Sequence, residues 1–259
     1  GNPEEQWRWN VHGSDNIFDL AFMLPSVKKL IHFSTASSYS ARADNTIEHR
    51  FTEDEGFRDD DYLYAKEKKQ AEDNLRARYE KEKATGKPLP QIFIVRPAAI
   101  TGPRGRFQRI RFGLQSALSG QLHGNAIYRV VSVLTSFVPT TPLWVRQFIH
   151  EDDVNDIVQL FAFTDLPGEY EAFNITPPGN PVRAHDMAKA VGKKTLSIPP
   201  SAIRMAFWFF WHATRGKIPT GRGSWRFYSY PIVMDGTKLT HMHGYQYQYP
   251  SLEAFQYTS

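Results

Sequence analysis

Apolar and polar positions along the chain follow two periods, and the switches between them mark the elements. From Asn10 to Phe22, and on to Met23, apolar residues fall at Val11, Ile17, Leu20, Ala21 and Met23. That is the spacing of one helical face, and Pro25 ends it. Val27 to Phe33 reads as a short strand that runs into the hydroxyl-rich segment Ser34 to Ser40. Thr46 to Asp61 reads as a loop whose acidic end leads into a long polar helix from about Asp60 to Lys83, with Gly86 and Pro88 as stop signals. Gln91 to Arg96 is a strand closed by Pro97. Further on, Arg109 to Gly120 and Glu151 to Phe163 are helices, Tyr170 to Ile175 is a strand, and Pro181 to Val191 is a short helix. Helix and strand in alternation predict a parallel α/β sheet.

Two features stand out from this frame. Small hydroxylated residues at the C-terminal end of a strand sit where open α/β sheets place their ligand chemistry. The long helix opens with two overlapping Tyr-x-x-x-Lys pairs, Tyr62/Lys66 and Tyr64/Lys68. Positions i and i+4 share a helix face, and an ammonium beside a phenol favours the phenolate, which suits acid/base catalysis. The residues themselves leave both registers open.

Composition narrows the class. The 259 residues hold 31 Lys and Arg against 27 Asp and Glu, a formal net charge of +4. The basic residues are scattered apart from Arg104, Arg106, Arg109 and Arg111. So small a cluster does not indicate nucleic acid and suits an anionic small ligand. There is no cysteine, so thiolate chemistry and disulfides are excluded and a reducing compartment is allowed; a cytoplasmic protein is expected. The nine histidines show no metal-ligand spacing. The longest apolar run, around Ala206 to Trp211, is too short to span a bilayer. The aromatic stretch Ser201 to Arg215 is expected as a packed core helix or the wall of a lipophilic-substrate site, ahead of a dimer surface or an interfacial membrane helix.

Five phrases, in order, carry a family resemblance. They are Asn10 to Asn16 (NVHGSDN), Leu30 to Tyr39 (LIHFSTASSY), Tyr64 to Glu72 (YAKEKKQAE), Val95 to Arg104 (VRPAAITGPR) and Arg146 to Val154 (RQFIHEDDV). Together they resemble the extended short-chain dehydrogenases/reductases of the NAD-dependent epimerase/dehydratase family. The resemblance implies a Rossmann-like doubly wound parallel sheet with a smaller C-terminal substrate-binding lobe. Residues 1–100 would be the later part of the NAD(P)-binding domain, 101–145 a substrate-lobe insertion, 146–176 returning sheet elements and 177–259 the substrate lobe.

The resemblance also selects a register. The family places a Glu four residues after its lysine, as Glu72 follows Lys68, which favours Tyr64/Lys68; counting back from Tyr39 puts the catalytic hydroxyl on Thr35, with Ser34 as second choice. The implied chemistry is hydride transfer with NAD or NADP, with epimerase, reductase and dehydrogenase outcomes all open. Thr35 would hold the substrate oxygen, Tyr64 would exchange its proton, Lys68 would lower the tyrosine pKa and bind the nicotinamide ribose, and Asn10 would orient the group. Ser34 and Pro97, Ala98, Ala99 and Ile100 would lie along the cofactor. Ser37, Arg104, Arg106, Arg109 and Arg146 would bind the substrate, for which a nucleotide sugar is expected and a steroid-like ring is the alternative. A homodimer is compatible with this reading.

Three departures qualify it. Ala36-Ser37 stands where dehydratases of the family carry Asp-Glu, which argues against water elimination. Ser40 replaces the usual glycine after Tyr39. No Gly-x-x-Gly-x-x-Gly turn occurs, so a chain lacking roughly the first hundred family residues is expected, and a non-catalytic binding relative is the alternative to an enzyme.

Overall fold

The computed structural model describes residues 3–58, 61–104, 137–190, 192–213 and 223–256. The chain enters through helix α1 (Pro3–Trp7), a five-residue π-helical turn at Arg8–His12 and α2 (Gly13–Met23). The helical run therefore begins earlier than the apolar periodicity indicates. The π turn rotates the face of the helix at Asn10, and such turns are concentrated at functional sites.

Strand β1 (Lys29–Phe33) follows, then a 3-10 turn at Ala36–Tyr39, helix α3 (Leu63–Lys83), strand β2 (Gln91–Pro97) and β3 (Ala99–Thr101). After the described residues resume come β4 (Phe137–Thr140), β5 (Val145–Arg146), β6 (Phe148–His150), α4 (Glu151–Phe163) and β7 (Tyr170–Ile175). The C-terminal part holds β8 (Val182–Arg183), α5 (Ala184–Ala190), β9 (Lys194–Ser197), α6 (Pro200–Ala213), α7 (Ser224–Phe227), α8 (Thr237–His243) and α9 (Ser251–Gln256).

The α/β architecture with a parallel sheet is the one expected. β2 lies between β1 and β7, both parallel to it, with Ile31 opposite Phe93 and Phe93 opposite Glu171. Successive side chains of β2 point to opposite faces, and both faces are covered. Ile92 and Ile94 meet Phe18, Ala21, Leu75 and Tyr79 from α2 and α3. Phe93 and Val95 meet Ile157 and Phe161 from α4, with Phe173 and Leu239. The Phe93 and Phe161 rings stack at 4.5 Å. A third cluster joins Trp144, Phe148, Val182 and Met187 to Ala254.

Polar groups fasten the C-terminal ends of the three strands. Arg96 Nε donates to Glu72 Oε2 at 3.3 Å, and a second guanidinium nitrogen pairs with Glu72 Oε1, so this ion pair between β2 and α3 is buried on both sides. Arg96 also donates to the Tyr39 hydroxyl at 2.8 Å, and that hydroxyl donates to Asn174 Oδ1 on β7 at 2.9 Å. Tyr39 is fully buried, and its pKa is pushed up to about 12, chiefly by burial against the opposing effect of Arg96.

Two expectations are corrected here. The acids before α3 do not occupy its first turn; Asp61 instead faces Arg226 at 3.6 Å. Helix α6 is not core: Ile203 is its single buried residue. The helix expected at Arg109 to Gly120 lies outside the described residues.

Candidate functional site

The site is built where β1 and β2 end, on the C-terminal side of the parallel sheet. Thr35 leaves β1 in extended conformation and caps the 3-10 turn, its Oγ1 accepting from Ser37 N at 3.2 Å. Ser38 Oγ donates to Ala65 O at 3.2 Å, tying that turn to the first turn of α3. This brings Tyr64 within hydrogen-bonding reach of the Thr35 hydroxyl. Tyr62 is placed differently: it precedes the helix and packs its ring on Phe227 at 4.7 Å.

Lys68, one turn beyond Tyr64, donates to the Phe33 carbonyl at the end of β1 at 2.8 Å. Its neighbour Glu67 is fully buried, and Glu67 Oε2 accepts from Asn10 Nδ2 at 2.8 Å and from Gln6 Nε2 at 3.1 Å. Asn10 thus meets α3 through a carboxylate. The electrostatics differ from the sequence expectation. Tyr64 is held above the usual phenol pKa, first by burial and also by the Glu67 charge, against a lowering from Thr35. Burial lowers the pKa of Lys68, and Glu67 opposes that shift. On β1, burial takes His32 down to about 4, assisted by the Lys68 charge.

A cleft with about 580 Å³ of empty space, its open mouth included, lies in front of Thr35. Of the candidates from sequence, Thr35, Ser37, Pro97, Ala98, Ala99 and Arg146 line it. Tyr64, Lys68, Ser34 and Asn10 are not on its lining; Tyr64 reaches it through Thr35. Ile100 is 45% exposed on β3. Arg104 is occupied elsewhere, donating to Glu151 at 3.1 Å and pairing with Asp152. Arg106 and Arg109 lie outside the described residues.

Arg146 is the cationic group of the lining. It donates to Phe227 O at 3.1 Å and lies 5.7 Å from the Trp144 ring and 5.8 Å from the Tyr228 ring. Burial penalises its charge, and among the described residues no carboxylate stands within ion-pair distance of it. A cation so placed suits an anionic ligand group.

The opposite wall was not read as part of the site from sequence. Phe227 ends α7, and Tyr230, Ile232 and Met234 come from the segment after it. Gln147 clamps this segment in both directions: its Nε2 donates to Met234 O at 3.0 Å, and its Oε1 accepts from Met234 N at 2.8 Å. The signal for this wall was the polar Gln147 between β5 and β6, next to the apolar pair Phe148 and Ile149, but its partner lies 87 residues away. Gly223 lets the segment approach α3, because a Cβ there would stand 2.7 Å from Tyr62 N, and its φ of +82° favours glycine.

The model of the NAD-binding family described as "Male sterility protein" matches residues 2–140, more than half of the chain, and the chain belongs to that family. Its fold is that of the extended short-chain dehydrogenases/reductases. A UDP-galactose 4-epimerase is 17% identical with a TM-score of 0.58, the match covering 100% of this chain and 70% of that one. The dTDP-glucose 4,6-dehydratase of Bacillus anthracis, solved with NAD, is 16% identical with a TM-score of 0.61, covering 97% and 66%. The Bordetella bronchiseptica enzyme WbmG, also solved with NAD, is 19% identical with a TM-score of 0.61, covering 98% and 65%. The chain thus spans about two thirds of the length of these structures. No curated protein matches it by sequence.

Proposed function

We propose that this chain carries the acid/base half of an NAD(P)-dependent oxidoreductase or epimerase, with Thr35, Tyr64 and Lys68 at the reacting oxygen. The observation that carries it is Tyr64 within hydrogen-bonding reach of Thr35, a residue of the cleft lining, with Lys68 following one turn along α3. The residues present fit the nicotinamide end of such a cofactor. Ser34 Oγ is buried with no hydrogen-bond partner among the described residues. Lys68 has two further donors beyond its bond to Phe33. Pro97 and Ala98 line the cleft. When bound, the cofactor supplies hydride exchange at the substrate carbon.

The chain's own residues handle the proton and the orientation. The Thr35 hydroxyl donates to the substrate oxygen. Tyr64 takes the proton from a substrate hydroxyl, or returns it to a carbonyl oxygen. Lys68 favours the phenolate and holds ribose hydroxyls. Asn10 fixes the helix through Glu67. Arg146 faces the anionic part of the substrate. That cation, together with structural neighbours named for UDP- and dTDP-sugars, favours a nucleotide sugar. The apolar wall of Phe227, Ile232 and Met234 supports the second reading, a lipophilic ring.

Incubation with NAD or NADP and either UDP-sugars or hydroxysteroids tests the proposal, reading reduced-cofactor absorbance and, for epimerisation, product composition. A protein that binds neither cofactor and converts none of these is a binding relative instead. Arg146→Met is expected to raise KM for a UDP-sugar about 10–100-fold with kcat nearly unchanged, the loss of a charge-assisted contact. An unchanged KM would remove Arg146 from the substrate site.

The sign of the Tyr64 shift sets a pH dependence. Alcohol oxidation needs the phenolate, so its rate climbs as pH rises toward and past the ordinary phenol value; carbonyl reduction uses the phenol and is retained at neutral pH. Glu67→Gln removes a charge that opposes the phenolate and should move the oxidation limb to lower pH. A pH–kcat profile of both proteins reads the shift, and an unmoved limb contradicts the role given to Glu67.

A further inference from the structure

We propose that the outward face of α6 docks this protein onto an anionic lipid surface. Met205, Trp208, Phe209 and Trp211 are 68%, 63%, 57% and 41% exposed, on a helix whose single buried residue is Ile203. Turned through 100° per residue, Trp208, Met205 and Phe209 fall on the side away from Ile203, with Trp211 at its border. Leu196, just before the helix, is 51% exposed. Four large apolar side chains contiguous on one exposed helix mark a docking surface rather than ordinary surface scatter.

The charge around the patch selects the occupant. From Met187 to Met234 the chain contains no Asp or Glu, although 27 of its 259 residues are acids. The same stretch places Lys193, Lys194 and Arg204 before and within the helix, and Arg215, Lys217 and Arg222 after it. Tryptophans on a short helix with flanking cations match the two layers of a lipid interface, rings at the acyl boundary and cations at anionic headgroups. The helix has 14 residues, and among the described residues no helix is long and apolar enough to cross a membrane, so α6 would lie in the surface plane.

The face is also coupled to the cleft by position. Phe207 packs on Tyr228 at 5.1 Å and Arg204 lies 5.7 Å from the Trp225 ring, so α6 backs the segment that supplies the wall residues Phe227 and Tyr230. Docking would set the cleft beside the lipid headgroups. The proposal does not depend on the catalytic reading.

The test is flotation of the whole protein with vesicles of phosphatidylcholine alone or mixed with phosphatidylserine, together with tryptophan quenching by brominated lipid. Binding to the phosphatidylserine vesicles, weakened by high salt and accompanied by quenching, is expected. Trp208→Ala/Phe209→Ala should lower the partition coefficient about tenfold or more. Lys193→Glu/Lys194→Glu, which leaves the aromatic face intact, should lower it severalfold at low salt alone. Circular dichroism confirms that both variants fold. No binding to either vesicle, equal binding to both, or wild-type partitioning of both variants overturns the proposal. So does a concentration-dependent dimer that Trp208→Ala/Phe209→Ala dissociates, since the occupant is then a second copy.

Discussion

Tyr64→Phe should abolish turnover, by about a thousandfold in kcat, while Tyr62→Phe should leave it within a few-fold of wild type. The two tyrosines are two residues apart and each has a lysine four residues on, so sequence spacing treats them alike. Their surroundings separate them. Tyr64 follows the start of α3 and reaches Thr35, a residue of the cleft lining. Tyr62 ends the preceding loop and spends its ring on Phe227. Removing the Tyr64 hydroxyl takes away the proton donor and acceptor but leaves the ring and the fold, so cofactor affinity and thermal stability should hardly change. Steady-state kinetics beside a thermal melt give the measurement. Loss of activity in Tyr62→Phe with an active Tyr64→Phe would invert the register.

Glu72→Met should cost about 3–5 kcal/mol of stability, because it strands the Arg96 guanidinium in the interior. Arg96 would keep its bonds to the Tyr39 hydroxyl and to Glu53 O but lose the countercharge. The double variant Glu72→Met/Arg96→Met exchanges a buried ion pair for apolar contacts beside Phe57 and should recover a large part of that loss. Chemical denaturation of wild type, both single variants and the double closes the cycle. Purely additive losses would show that the pair does not act as a unit. The outcome bears on the site, since the same arginine ties Tyr39, Asn174 and the loop through Glu53 across the strand ends that carry Thr35.

The sheet was legible because its strands obey simple rules. Within Gln91 to Arg96, Ile92 to Val95 is a continuous apolar run and proves buried on both faces; Glu151 to Phe163 has its helix period, and its observed limits coincide with those read. The Thr35, Tyr64 and Lys68 cluster could be nominated because short stretches of chain carry it. What sequence could not show was interaction at a distance. Phe227 and Met234 meet Thr35 only through the returning chain. Arg104 looked like a ligand for phosphate, yet Glu151 and Asp152 claim it. The aromatic run in α6 looked like core because composition does not say which side a neighbour covers. Burial above all, with the Glu67 charge adding to it, raises the Tyr64 pKa where a lowering was expected, and spacing along the chain does not report burial.

The clamp between Gln147 and Met234 has a consequence for the order of folding. The three parallel strands and the helices α2, α3 and α4 can settle around Phe93 and Ile94 with chain no further on than Ile175. The cleft cannot, because its far wall arrives with the last quarter of the chain and is fastened by a two-bond amide latch. Contacts of such long sequence separation are the slowest to form. Ligand binding should therefore appear later than sheet formation during refolding, and be lost first when that latch is weakened.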